Sequence, residues 1–283
     1  MTSTFRYDPR TTMLVFLDEY GNSSLKPSGQ PLARYLSVAA LCVRHNYYQD
    51  ILLPRYRVFK ANVFGDPGIY LHYRALFHRL PPFDEYSDEQ IARTWQKIVR
   101  FLGSLDVKLR CVCIDKLALM GKIPLWEKNP HKDPYELALA LHIERIVFHL
   151  DTLGKRQTQW AARVVAESRT PQQNRLVNEA YMKIWSSGHL LFDQQGTLSP
   201  KRIQTAIPRH DLPFRSKGDK VEGLELVDLI TNPLTWATIF EYHADTRPLR
   251  ERDQHFMGEV GHLIDKDIHG RTKGWGLKLY PTK

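Results

Sequence analysis

Four acidic residues far apart in the chain stand in the same kind of setting. Asp18, Asp115 and Glu167 each close a short apolar run: Met13 to Leu17, Val107 to Ile114, and Ala161 to Ala166. Asp228 lies inside the apolar stretch Gly223 to Ile230. In an open sheet the ligand crevice lies beyond the carboxyl ends of the strands. Strands ending in Asp18, Asp115 and Glu167 that run parallel would bring these acids to one sheet end, with the helix carrying Asp228 facing them. At about 5 Å and an effective dielectric near 20, each like-charged pair costs roughly 3 kcal/mol. Such a cluster stands only if it is protonated or surrounds a cation. Hard oxygen donors suit Mg2+ or Mn2+ rather than zinc. Two such ions about 3.5–4 Å apart can activate a water and stabilise the leaving oxygen of a phosphodiester. The pattern therefore predicts metal-dependent phosphodiester hydrolysis. The plainer reading is four unrelated acids, with Glu167 serving helix entry near Thr170 and Asp115 an ordinary strand end. Asp228 fits that reading least, because acids are seldom set in apolar helical faces without a partner.

The elements that must position these acids are marked in the sequence. Met13 to Leu17 is an unbroken apolar run, the signature of a strand buried on both faces. It leads into Asp18, Glu19 and the turn Gly21-Asn22. Arg34 to Val43 reads as a second strand, and the loop between the two allows an antiparallel return. Asn46 to Phe64 has helical spacing, with a kink or late start expected at Pro54. Ile69 to Phe77 fits strand or helix. Ser87 with Gln90 makes a capping box, and Gly103 ends that helix. Val107, Leu109, Cys111 and Cys113 share one face of the next strand. Asp133, Pro134 and Glu136 start a helix that runs to about Leu150. Thr170, Pro171 and Gln173 start another, closed by Gly188. Extended pieces are expected around Ile203 to Ile207. A helix is expected over Gly223 to Ile230, bent or ended by Pro233, with further helix to about Ile264. No repeat or low-complexity linker interrupts the chain, so one domain over residues 1–283 is expected.

The bulk numbers bound the partners. The chain has 283 residues, 42% hydrophobic and 25% charged, an ordinary balance for a water-soluble fold. No apolar run reaches membrane-span length, and the N-terminus lacks a signal-like apolar core. The three cysteines are an odd number, with Cys111 and Cys113 two apart. A reduced, cytoplasmic setting without structural zinc follows. The net charge is +9 and the pI near 9.4, a balance that suits nucleic acid, DNA or RNA. Residues 201–220 carry six basic and two acidic side chains. Residues 268–283 carry Arg271, Lys273, Lys278 and Lys283 without an acid, interleaved with Trp275 and Tyr280. Such stretches suit phosphates and stacked bases; a solvated basic tail has the same composition.

Leu17-Asp18-Glu19-Tyr20-Gly21, Ile114-Asp115, Ala166-Glu167-Ser168-Arg169 and Gly223-Leu224-Glu225-Leu226-Val227-Asp228-Leu229-Ile230, taken in order, resemble the domain-of-unknown-function 3800 family. That family is regarded as ribonuclease-H-like and as metal-dependent nucleases. The resemblance spans about residues 14–230. It implies an α/β fold with a five-stranded mixed sheet, three antiparallel strands and then two parallel ones, flanked by helices, with a helical and basic C-terminal extension. It implies Asp18, Glu167 and Asp228 as catalytic and metal-binding residues, with Asp115 and Glu19 next. Tyr20 stands where the family has Ser, Glu225 where it has Gln, and Leu71 where many members have an acid before His72. Glu225, three before Asp228, shares its helical face and is a candidate for the missing charge; a solvent-facing Glu is the alternative.

The expected activity is hydrolysis of DNA or RNA. The alternatives are a catalytically inactive nucleic-acid-binding or defence-associated interaction module, and a phosphatase of small phosphoesters. His72 is a candidate for positioning water or phosphate, against a packed histidine. Arg169 is a candidate phosphate clamp, against an ion pair with Glu167. His255, His262 and His269 recur every seven residues, about 10 Å apart on a helix and too far apart for one ion. Phosphate-loop, dinucleotide, serine-hydrolase and zinc-protease motifs are absent.

Overall fold

The computed structural model describes residues 8–25, 34–121, 133–154, 159–188, 198–243 and 248–281. β1 (Thr12–Gly21) and β2 (Tyr35–Arg44) lead into α1. This helical run passes through His45–Tyr47, a π-turn at Tyr48–Leu52, and Leu53–Phe64. Pro54 lacks an N–H and crowds the preceding turn. The wider π-turn just before it lets the helix continue, where a kink or late start was expected. α2 (Tyr73–Phe77) and α3 (Asp88–Gly103) follow, the latter with the Ser87–Gln90 capping box. Then come β3 (Lys108–Asp115), α4 (Lys116–Met120), α5 (Pro134–Leu153), β4 (Ala161–Glu167) and α6 (Pro171–Ser187). α7 (Pro200–Ala206), β5 (Phe214–Arg215), α8 (Glu222–His243), α9 (Glu251–Val260) and β6 (Leu277–Tyr280) complete the order.

The sheet is mixed and has six strands in the order β5-β4-β1-β2-β3-β6, not five. β1, β2 and β3 are antiparallel neighbours; β4 runs parallel to β1, β5 to β4, and β6 to β3. Strand β6 lies in the segment expected to be a basic extension. Its alternating burial, Leu277 and Leu279 inward with Lys278 and Tyr280 half-buried, is a two-residue period that four residues scarcely display. Ile203 to Ile207 is mostly helical, not extended. Ser199 accepts from the Arg202 N–H at 3.3 Å and Pro200 opens the helix, so capping decides the outcome.

Helices cover both sheet faces. Leu14 and Phe16 of β1 belong to a core built with α1, α3, α8 and α9. Met13, Val15 and Leu17 belong to the opposite core, built with α5, α6 and α7. That is why β1 reads as an unbroken apolar run. Cys42, Cys111 and Cys113 are buried free thiols. Among the described residues, no helix is long and apolar enough to cross a membrane.

α8 does not end at Pro233. An interior proline costs about 3 kcal/mol. Leu234 and Ile239 beyond it are both almost fully buried, and each such side chain stabilises by roughly 1.5–3 kcal/mol. Continuation therefore wins. At its other end α8 comes very close to β1. A Cβ added at Gly223 would lie 2.4 Å from the Phe16 ring. The Gly223 N–H donates to the Tyr48 hydroxyl at 3.2 Å. Gly223→Ala is therefore expected to push α8 off β1 and lower stability by about 1–3 kcal/mol, read as a lower urea midpoint with an unchanged slope.

Candidate metal centre

Strand register brings the first two acids together. In the parallel β1–β4 ladder Leu17 pairs with Ala166, so Asp18 and Glu167 are the next residues along. Side chains alternate along a strand. Phe16 and Val165, two residues earlier, lie in the core beneath α8, so Asp18 and Glu167 turn toward α8 as well. The close approach at Gly223 carries the first turns of α8 over this corner, and Asp228 completes the group. One carboxylate oxygen from each of Asp18, Glu167 and Asp228 lies within 4.8 Å of the others. Asp18 is buried, 7% exposed, and its carboxylate accepts from the Glu19 backbone N–H.

Asp228 is held from the loop before α2. The Tyr73 N–H donates to its Oδ2 at 2.7 Å, and His72 Nε2 lies 3.1 Å from its Oδ1. The loop is itself pinned. Glu225, one helical turn before Asp228, is 1% exposed and accepts from the Leu71 N–H at 2.9 Å. Lys60 pairs with Glu225 at 3.0 Å and also donates to the Ile69 carbonyl at 3.0 Å. Glu225 is thus neither a solvent-facing residue nor a member of the acidic group. It fixes the loop that holds Asp228, and Leu71 contributes its backbone where an acid was missed.

Two expected acids are not part of the group. Asp115 does sit at a strand end pointing the same way as those of β1 and β4, but the register displaces it. Asp18 pairs with Ala39, and Ala39 with Cys111, so Asp115 lies four residues beyond that level. At ~3.3 Å per residue this is about 13 Å along the sheet, before the two strand spacings across it. There it caps α4 through the Ala118 N–H and takes a two-pronged ion pair from Arg34. Glu19, one residue after Asp18, faces the other side of the sheet and pairs with Arg169. Arg169 also lies over the Tyr135 ring, 4.6 Å from its centroid. The ion pair expected with Glu167 is made with Glu19 instead.

Lys217 and Tyr70 were missed in the sequence. Lys217 Nζ lies 3.2 Å from Glu167 Oε1 and 2.6 Å from His72 Nε2. Its only sequence signal is membership of the basic stretch at 201–220. That signal does not separate it from Arg202, paired with Asp151, or Arg209, paired with Asp211. The C-terminal basic residues are engaged too: Arg271 pairs with Asp267, and Lys273 donates to the Glu241 carbonyl. Lys283 lies outside the described residues. Tyr70 lies close enough to the group to feel its field. Burial first, then the charges of Glu167, Asp228, Glu225 and Asp18, push its phenol upward and keep it protonated.

The electrostatics are those of crowded anions. Asp18 is pushed well above the usual carboxylate range, mainly by burial and then by Asp228, Glu19 and Glu167. Burial also raises Glu167, against the pull of Lys217. Glu167 Oε2 is buried with no hydrogen-bond partner. An all-oxygen donor set is the chemistry of a hard divalent cation. Bonds of about 2.1–2.4 Å keep the ligands of one ion within about 4.8 Å of each other, and the three oxygens lie within that limit. The triad of Asp18, Glu167 and Asp228, the first buried and the others half-buried, therefore has the composition and size to hold a metal ion.

Because the Asp18 pKa is raised in the folded chain, the folded state holds that proton more tightly than the unfolded one. This stability is present below the ordinary value of 3.8 and is lost as pH rises through the raised value. Without metal, Asp18→Asn at pH 7 is expected to raise the melting temperature by about 2–4 °C. It should also flatten the loss of stability with rising pH. With excess Mn2+ the order reverses: the native chain gains stability and the Asn variant does not. Thermal melts with chelator and with Mn2+ across pH check both. No protein-family model matches this chain, and neither a curated protein nor a solved structure matches it.

Proposed function

We propose that this protein is a divalent-metal-dependent nuclease that hydrolyses phosphodiester bonds of DNA or RNA on a ribonuclease-H-like scaffold. The observation that carries the reading is the convergence of Asp18, Glu167 and Asp228. These three would hold the ion, with Mg2+ or Mn2+ the natural occupants of an all-carboxylate site. The ion would supply Lewis acidity at a phosphoryl oxygen and a water that ionises near neutral pH.

The remaining residues do work that bound metal does not. His72 Nδ1 accepts from the Ala75 N–H at 3.3 Å, and its Nε2 lies 3.1 Å from Asp228 Oδ1 and 2.6 Å from Lys217 Nζ, so the ring is wedged between the acid and the lysine. This fixes the Asp228 carboxylate in orientation. Lys217 places a cationic head beside Glu167, and the exposed Arg215 pairs with Glu167 through its backbone. A phosphate backbone is attracted to such groups in a salt-dependent way. Tyr70 offers a protonated phenol as a hydrogen-bond donor and a ring for stacking a base. The charge of +9 favours a polyanion over a small phosphoester. The ordered resemblance to the 3800 family points to the same chemistry.

Labelled single- and double-stranded DNA and RNA, incubated with Mg2+ or Mn2+, test the reading. Cleavage should require the ion, stop with chelator and fall at least about 100-fold in Asp18→Asn and Asp228→Asn. Binding that survives chelator, with no cleavage in either ion, would instead identify an inactive nucleic-acid-binding module. Activity confined to small phosphoesters and indifferent to salt would identify a phosphatase.

A further inference from the structure

The acids around the triad are already allotted. Asp115 is taken by Arg34, Glu225 by Lys60 and Glu19 by Arg169. Three carboxylates remain, and the oxygens they offer gather around one point. Their spare capacity is also limited. Both Asp228 oxygens already have a close neighbour, the Tyr73 N–H at Oδ2 and His72 Nε2 at Oδ1. Glu167 is divided: Oε1 faces Lys217, while Oε2 is buried without a partner. A Glu167 divided in this way has one oxygen left for an ion.

Lys217 is not a long side chain reaching in from a loose surface loop. β5 pairs directly with the end of β4, and the Ser168 N–H donates to the Arg215 carbonyl at 2.8 Å. The next residues form a tight 3-10 turn, Lys217–Asp219, in which the Ser216 N–H donates to Asp219 Oδ2 at 2.8 Å. Lys220 closes the turn in a left-handed conformation and reaches the Gly68 carbonyl. The segment is thus fastened to the strand that carries Glu167 and to the chain just before His72. Its ammonium is delivered to the triad by backbone pairing.

Resting on the metal reading above, we propose that the centre takes one divalent ion, not two, and that the Lys217 ammonium stands in place of the second. The charge count agrees. Three carboxylates and one ammonium leave two negative charges, which one divalent ion balances and two would overshoot. In place of the two-ion arrangement expected from the sequence pattern, Glu167 would offer Oε2 to the ion and keep Oε1 on the fixed cation. Lys217 would then offer its ammonium to an oxygen of the phosphate, with no proton transfer required of it.

Mn2+ binding to the full chain, followed by calorimetry and by the electron paramagnetic resonance of free Mn2+, tests this without any assay of cleavage. One equivalent should bind, and Asp18→Asn should abolish it. Lys217→Met should bind a second equivalent, or bind the first about ten-fold or more tightly, because a like charge has left the site. Lys217→Arg should keep the native stoichiometry, which guards against a folding artefact in the Met variant. Two equivalents in the native chain, both lost in Asp18→Asn, would overturn the one-ion centre and leave the nuclease reading standing. Unchanged number and affinity in Lys217→Met would overturn the part given to Lys217. No binding at all would overturn the metal reading itself, and this inference with it.

Discussion

Three carboxylates held in one corner repel one another, and the fold gives them no room to part. Asp18 and Glu167 are consecutive across a hydrogen-bonded parallel ladder, so their separation is set by the sheet. Asp228 is set by the seat of α8 on β1, where Gly223 lies against Phe16. Like charges about 5 Å apart at an effective dielectric near 20 cost roughly 3 kcal/mol per pair. In a flexible loop that energy would be relieved by motion. Here backbone pairing and a helix–sheet contact oppose it, so relief comes from protons, from Lys217 or from a bound cation. The treatment of neighbouring acids shows how local this is. Asp115, Glu225 and Glu19 each face a cation of their own, which confines the excess of negative charge to a single place.

The Lys60–Glu225 pair shows what a buried ion pair contributes in such a setting. Removing two charges from water offsets most of their attraction, so the pair is weak evidence for stability. Its geometric effect is larger. Glu225 and Asp228 are three apart on α8 and so share a face. One accepts the Leu71 N–H and the other the Tyr73 N–H. Successive donors of one short segment are thus read by successive acids of one helix, with His72 held between them. Lys60 closes the arrangement by donating to the Ile69 carbonyl as well as to Glu225. The orientation of Asp228 therefore depends on a residue of α1 that does not touch it.

Local chemistry was legible in the sequence, and register was not. The apolar run of β1, the capping boxes at Ser87 and Thr170, and the helix start at Asp133 depend on residues within a few positions of each other. Each could be read from spacing alone. The pattern of a strand followed by an acid found Asp18 and Glu167, and the acid in an apolar helical face found Asp228. The same pattern included Asp115 wrongly, because the offset of β3 across β2 is a long-range property that no local motif encodes. It also left Glu19 in the set, although alternation along β1 turns adjacent side chains to opposite faces. Lys217 was illegible for a related reason: it is fifty residues from Glu167 and meets it only because β5 pairs with the end of β4. Leu277–Tyr280 was overlooked because four residues carry too little periodicity to outweigh the basic composition around them.

The overall charge and the local charge of the proposed centre have opposite signs, and this constrains how it would work. A net +9 draws a polyanion from a distance, but in physiological salt that attraction fades over about 8 Å. At closer range a phosphate meets three carboxylates, and Lys217 alone leaves them negative in sum. On the proposed reading, the net positive charge would therefore concentrate a polyanion without admitting it. One bound divalent ion would balance that remaining charge, so that the repulsion a phosphate meets at close range would be removed. Metal binding and polymer binding would then be linked: each would favour the other, because the ion would lower the repulsion and the phosphate would supply further oxygen ligands. An acidic site on a basic protein is consistent on these terms only if the acids are occupied when the substrate arrives.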